Sequence, residues 1–88
     1  PALLSELAAA QAGAGQRPAA MASLEQALGL DAHYATAQYM LAGLLAASGR
    51  YDEAIVHYES VLRESSSGAL AQRARERLAA ARRAASGR

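Results

Sequence analysis

Residues 35–62 read ATAQYMLAGLLAASGRYDEAIVHYESVL, and this stretch decides the fold. Gln38, Leu41, Ala42 and Leu45 follow the i, i+3, i+4, i+7 spacing of one buried helical face, which predicts a helix over 35–48. Gly49 ends it, because glycine takes the left-handed conformation that closes a helix. A second helix is predicted over 51–64. Asp52 and Glu53 sit in its first turn, where carboxylates favour the positive end of the helix dipole. Ala54, Tyr58, Val61 and Leu62 then recur at helical spacing. Tyr51 and Tyr58 are expected to pack between helices, since an aromatic ring supplies much of the buried area in an alanine-rich core.

Working outward, the same plan recurs 34 residues earlier without a gap. Leu7 meets Leu41, Ala8 meets Ala42, Ala12 meets Ala46 and Gly15 meets Gly49. Ala20 meets Ala54, Glu25 meets Glu59 and Leu28 meets Leu62. Met21 pairs with Ile55, Leu24 with Tyr58 and Ala27 with Val61. A first helix is predicted over 2–13, broken by Gly13-Ala14-Gly15. A second is predicted over 17–29, with Pro18 in its first turn, where the missing N–H costs nothing. Gly29-Leu30-Asp31 leads into the next unit, with Asp31 as a candidate cap. The polar loop Ser65-Ser66-Ser67-Gly68 follows the second unit. A last helix is predicted over 69–85, with the stripe Leu70, Ala74, Leu78, Ala81 and Ala85. The organisation expected is a repeat over 1–34, a repeat over 35–68, a capping helix over 69–85, with the first helix of a third repeat as the alternative, and a frayed tail over 86–88.

Composition agrees with an all-α fold of about five antiparallel helices. The 88 residues include 25 alanines and 12 leucines, both good helix formers. Chains of this size bury roughly 60 to 65 percent of their unfolded surface, so the core is modest. With no cysteine, disulfides and thiolate metal sites are excluded. That absence fits cytoplasm and periplasm alike, with the cytoplasm favoured. No apolar run reaches the length that crosses a bilayer, so no membrane partner is expected. Pro1 is not an initiator methionine, which implies a piece of a longer polypeptide or a processed product.

Charge is uneven. Residues 1–72 carry three Arg against seven acids, and residues 73–88 carry six Arg against one Glu. Every basic residue is Arg. With the alanine excess this is consistent with a GC-rich coding sequence. The arginines scatter around the last helix with no interleaved aromatic, the pattern of a solvated face. A nucleic-acid partner is therefore disfavoured, although basic stripes can track phosphates.

A 34-residue helix–turn–helix unit resembles the tetratricopeptide repeat, whose signature runs W-x2-L-G-x2-Y, A-x3-F and P. The second unit shows Gln38-x2-Leu41-Ala42-x2-Leu45 and Ala54-x3-Tyr58. The first shows Leu4-x2-Leu7-Ala8-x2-Gln11 and Ala20-x3-Leu24. The turn Gly49-Arg50-Tyr51-Asp52-Glu53-Ala54-Ile55 and the exit Gln26-Ala27-Leu28-Gly29-Leu30-Asp31-Ala32 are also similar to the family's. The aromatic that opens each first helix is missing, Ala42 stands for the glycine, and Ala32 and Ser66 stand for the closing proline. The resemblance implies a right-handed α-α superhelix whose first helices line a concave groove that binds a protein or peptide.

On that implication the groove row of the second unit is Thr36, Tyr39, Gly43 and Ala46. In the first unit it is Ala2, Ser5, Ala9 and Ala12. The last helix adds Arg73 and Arg77 at one edge. Tyr39 ranks first, because tyrosine is a frequent interface anchor and Gly43 beside it leaves room. Some family members clamp a terminal carboxylate with Lys, Asn and Arg. The comparable positions here are Ser5, Ala9, Met40 and Ala47, and the chain has neither Lys nor Asn. Apolar contact and backbone fit remain, with Arg at the rim, which suits an amphipathic helix or an extended segment.

No enzymatic constellation stands out, and no cofactor is implied. His33 and His57 lie in different elements and do not form a set of three or four metal ligands. Ser65 to Ser67 read as a loop without a nucleophile–base pair. Gly13-Ala14-Gly15 lacks the strand and Lys of a phosphate loop. The leading expectation is a protein–protein interaction module. The alternative is a structural or dimerising segment of a larger protein, because two repeats fall short of the three usually needed. A homodimer would supply the missing surface.

Overall fold

A computed structural model describes residues 2–87, so Pro1 and Arg88 lie outside the description. Five helices fill it: α1 (Ala2–Gly13), α2 (Arg17–Leu30), α3 (Ala35–Ala47), α4 (Tyr51–Glu64) and α5 (Ala69–Ser86). Each packs on the next, and α3 also touches α1 and α5. This is an all-helical repeat superhelix in which α1, α3 and α5 succeed one another and α2 and α4 lie between them.

The repeat is visible in backbone geometry. Gly15 and Gly49, one period apart, have φ of +81° and +80°. In each case the next N–H reaches back to close the helix: Gln16 donates to the Gln11 carbonyl at 2.8 Å and Arg50 to the Leu45 carbonyl at 2.9 Å. These left-handed glycines therefore set both tight turns. The longer turns match too. Asp31 has φ −147° and ψ 96°, and Ser65 has φ −148° and ψ 98°. Their N–H groups donate to the Ala27 and Val61 carbonyls at 2.9 and 2.8 Å.

Tyr58, Leu24 and Val61 are the largest fully buried side chains. Around them alanines carry much of the core: Ala8, Ala20, Ala27, Ala37, Ala42, Ala54 and Ala74. Such small side chains let helix backbones approach closely, and Leu41, Leu45 and Leu78 fill what remains. Gln38 enters this core as the opening residue of the buried stripe. Its amide donates to the Ala32 carbonyl at 2.8 Å and so fastens the inter-repeat turn to α3.

The structure corrects four expectations. Asp31 caps the C-terminus of α2 and not the N-terminus of α3, whose N-cap is Tyr34; the Asp31 carboxylate accepts the His33 N–H at 3.0 Å, inside the turn. Leu7, the counterpart of buried Leu41, is 48% exposed, because among the described residues α1 packs only on α2 and α3 whereas α3 touches all four other helices. Ala71 joins Ala74, Leu78 and Ala81 in the buried stripe of α5, while Leu70 and Ala85 are only half-buried. Ser86 continues α5 instead of fraying: the Gly87 N–H donates to the Arg83 carbonyl at 3.0 Å, extending the helical bonding past Ser86.

Candidate binding groove

The site is built where α3 meets α5. Helix α3 carries no ionisable group except the Tyr39 hydroxyl, so its surface is apolar or neutral along its whole length. Tyr39 is half-buried and packs against the core. Its ring meets that of Tyr58 edge to face, with centroids 5.8 Å apart and planes at 65°. This geometry suits the ring quadrupoles and fixes Tyr39 in place. One turn on, a Cβ built at Gly43 would lie 3.8 Å from the Tyr58 hydroxyl. The absent side chain thus leaves the hydroxyl end of a buried tyrosine facing α3 from behind.

Arg77 of α5 completes the cluster, since its positive charge acts on the Tyr58 hydroxyl. Burial pushes that hydroxyl above its ordinary pKa, and Arg77 draws it part of the way back. Tyr58 stays protonated at neutral pH and serves as a neutral partner for the arginine. Its side chain is only 1% exposed, so it supports the groove from below.

The arginines of α5 divide by task. Arg82 pairs with Glu59 at 2.8 Å, and Arg75 donates to the Ser66 carbonyl at 3.1 Å. Both fasten α5 to α4 and the loop between them. Arg73 and Arg77 are exposed and have no carboxylate partner among the described residues. They are left as net positive charge at the edge of a neutral surface.

The predicted groove residues do not all converge. Tyr39, Gly43 and Arg77 gather around Tyr58. Thr36, Ala9 and Arg73 are exposed, and Ala12 and Ala46 are half-buried against the core. Ser5 is a correction: it is buried together with Ala8 on the inward stripe of α1. It cannot offer its hydroxyl to a ligand, because α1 turns that side toward its neighbours in the core. The sequence predicts packing alone for Tyr58 and gives its hydroxyl no part in the groove. The signal available was a tyrosine where the repeat signature has phenylalanine, with a glycine opposite.

A separate cleft of about 470 Å³ lies among Arg17, Pro18, Met21, Glu25, Ser48 and Arg50, and no predicted groove residue lines it. Its guanidiniums are already engaged. Arg50 binds Glu53 through two bonds of 2.8 Å, and Arg17 donates to the Ala47 carbonyl and Ser48 hydroxyl at 3.4 Å. The α3–α5 seam, not this cleft, carries the combination of apolar surface and uncommitted charge.

A family model described as tetratricopeptide repeat matches residues 11–78, well over half of the chain. No curated protein matches it.

Proposed function

From the premise that the chain belongs to the tetratricopeptide repeat family, we propose that its α1–α3–α5 face binds a partner protein segment. Repeats of this family mediate protein–protein interaction and are in general non-enzymatic scaffolds. The observation that supports this groove is the convergence of Tyr39, Gly43 and Arg77 on Tyr58: Tyr39 on its ring, Gly43 and Arg77 toward its hydroxyl. Tyr39 offers a rigid, half-buried aromatic surface for an apolar side chain. Ala12 and Ala46 keep the neighbouring floor shallow, and Gly43 allows a close approach. Arg73 and Arg77 favour a segment with an acidic residue at that edge. Such a segment is a short amphipathic helix or an extended strand with one apolar anchor and one carboxylate.

A random peptide library selected on the intact chain tests the reading. Selected peptides should pair an apolar anchor with Asp or Glu, and binding should weaken as salt rises. Replacing Tyr39 by Ala should weaken it about tenfold or more, as expected for a central aromatic anchor. Replacing Arg77 by Gln should remove the preference for an acid. Peptides that bind the Tyr39→Ala and wild-type chains equally would place the interaction elsewhere.

A further inference from the structure

Most arginines of this molecule are engaged. Arg17, Arg50, Arg63, Arg75 and Arg82 each donate to an oxygen of the chain. Arg73, Arg77 and Arg83 have no carboxylate partner among the described residues. Arg83 lies on the outer face of α5 with Gln72 and Glu76, all exposed. Arg73 and Arg77 stand together on another face. They are four residues apart on α5, a spacing that sets Cβ atoms roughly 5–6 Å from each other.

Like charges at that spacing repel, so the pair weakens the helix that carries it. Nothing among the described residues relieves it. Helix α3, across the seam, has no carboxylate. Glu59 is held by Arg82 and Glu64 by His33. Glu76, the one acid of α5, lies on the outer face and forms no ion pair. The Tyr58 hydroxyl beside Arg77 stays neutral at neutral pH and leaves the arginine charge uncancelled.

A single carboxylate carries one charge and two oxygens, enough for one guanidinium fork. A phosphate monoester carries a charge of about −1.5 to −2 at pH 7 and three acceptor oxygens, so it can accept from two guanidiniums at once. Two carboxylates on one segment would have to be brought equally close against their own repulsion. We propose that the α3–α5 groove recognises a phosphorylated side chain of a partner segment, its phosphate held between Arg73 and Arg77 and a neighbouring apolar residue laid on Tyr39. This rests on the reading of the groove as a site for a protein segment, and it narrows the acidic residue there to a phosphorylated one. The two helices divide the task. Half-buried Tyr39 gives an apolar surface on α3, and the paired charge lies on α5. Both arginines are exposed, so the contact is screened by salt.

The test selects random peptides on the intact chain from two libraries, alike except for a fixed central residue, phosphoserine in one and glutamate in the other. Each selected phosphopeptide is then remade with Glu, and with Glu-Glu, in place of phosphoserine. The phosphopeptide should bind about tenfold or more tightly than either. Arg73→Gln and Arg77→Gln should each erase that advantage, and Arg83→Gln should keep it. Arg73 is exposed and holds no ion pair, so its replacement leaves the chain folded, which a melting curve checks. Equal binding of phosphoserine and glutamate peptides, still weakened by Tyr39→Ala, would overturn the phosphate site and leave the groove standing. A Glu-Glu peptide as tight as the phosphopeptide would overturn it in favour of an acidic stretch, and so would an advantage that survives Arg73→Gln. Phosphopeptides indifferent to Tyr39→Ala would overturn the phosphate site and the groove together.

Discussion

Two glycines of the second repeat show how position decides what a residue does. Gly49 sits at φ +80°, where an L side chain is strained. Gly43 sits inside α3 in ordinary helical geometry, and its missing Cβ would meet only the Tyr58 hydroxyl, at ordinary contact distance. Replacing Gly49 by Ala should cost about 1 kcal/mol or more. Replacing Gly43 by Ala should gain about 0.5–1 kcal/mol, because an alanine inside a helix loses less backbone freedom on folding. Thermal unfolding of the two variants should move in opposite directions, and loss of stability in both would show that α3 and α4 are packed more tightly than the contact distance indicates. The gain from Gly43→Ala should come with weaker groove binding, since the methyl narrows the approach to Tyr39 and Tyr58. Tyr58 itself joins both roles. Its ring fills the core, and its hydroxyl, beside Arg77, helps shape the groove.

Between elements, the two histidines report opposite couplings to pH. His33 lies in the α2–α3 turn, and its Nδ1 is 2.7 Å from Glu64 Oε1 at the end of α4. The hydrogen bond to Glu64 and its charge raise the His33 pKa. A raised folded pKa gives a stabilising contribution that is fully present below the unfolded value of about 6.5 and is lost as pH rises through the folded value. His57 on α4 is half-buried, and burial lowers its pKa against the pull of Glu53 and Glu25. That costs stability as pH falls below about 6.5. His33→Gln should therefore destabilise at pH 5 and be neutral at pH 8. His57→Gln should improve stability at pH 5 relative to pH 8. The His33 effect should shrink in high salt, since the pair is exposed. Melting curves of both variants at the two pH values check the signs, and matching signs would contradict the assignment. Helix α5 presents a packing case. Leu78 is its one large buried side chain, so Leu78→Ala should cost about 2–4 kcal/mol, measured by urea unfolding. Arg82→Gln should change stability by under about 1 kcal/mol, because the Glu59 pair is solvent-exposed. Helix positions and turns were legible in the sequence, because period, turn glycines and Pro18 are local signals. The faces were less so. Leu7 matches Leu41 letter for letter, yet burial depends on a neighbouring helix that the unit does not contain. Ser5 shares the groove register of Tyr39 but is buried with Ala8 where α1 packs on α2 and α3. The hydroxyl of Tyr58 was hidden by its ring, whose size alone accounts for its place in the core.

The whole molecule is a short array in which each helix is held mainly by its sequence neighbours, so stability should vary along it. Helix α3 stands at the centre, touching all four others, and buries five residues. Among the described residues, helix α1 touches only α2 and α3 and buries Ser5 and Ala8. Helix α5 sits at the other end, but it is longer, buries Ala71, Ala74, Leu78 and Ala81, and is tied by Arg75 and Arg82. The two ends are thus unequal, and opening should begin at α1. Native-state hydrogen exchange should find the slowest amides in α3 and α4, intermediate ones in α5 and the fastest helical amides in α1. Mutations should separate the same way. Leu41→Ala, in the shared centre, should lower protection in every helix, with a cost of about 2–5 kcal/mol. Leu4→Ala, partly buried on α1, should lower it in α1 and leave α4 and α5 unchanged. One common opening free energy for all five helices would mean that two repeats and a closing helix behave as a single cooperative unit. A graded profile would instead identify α1 as the element that opens first.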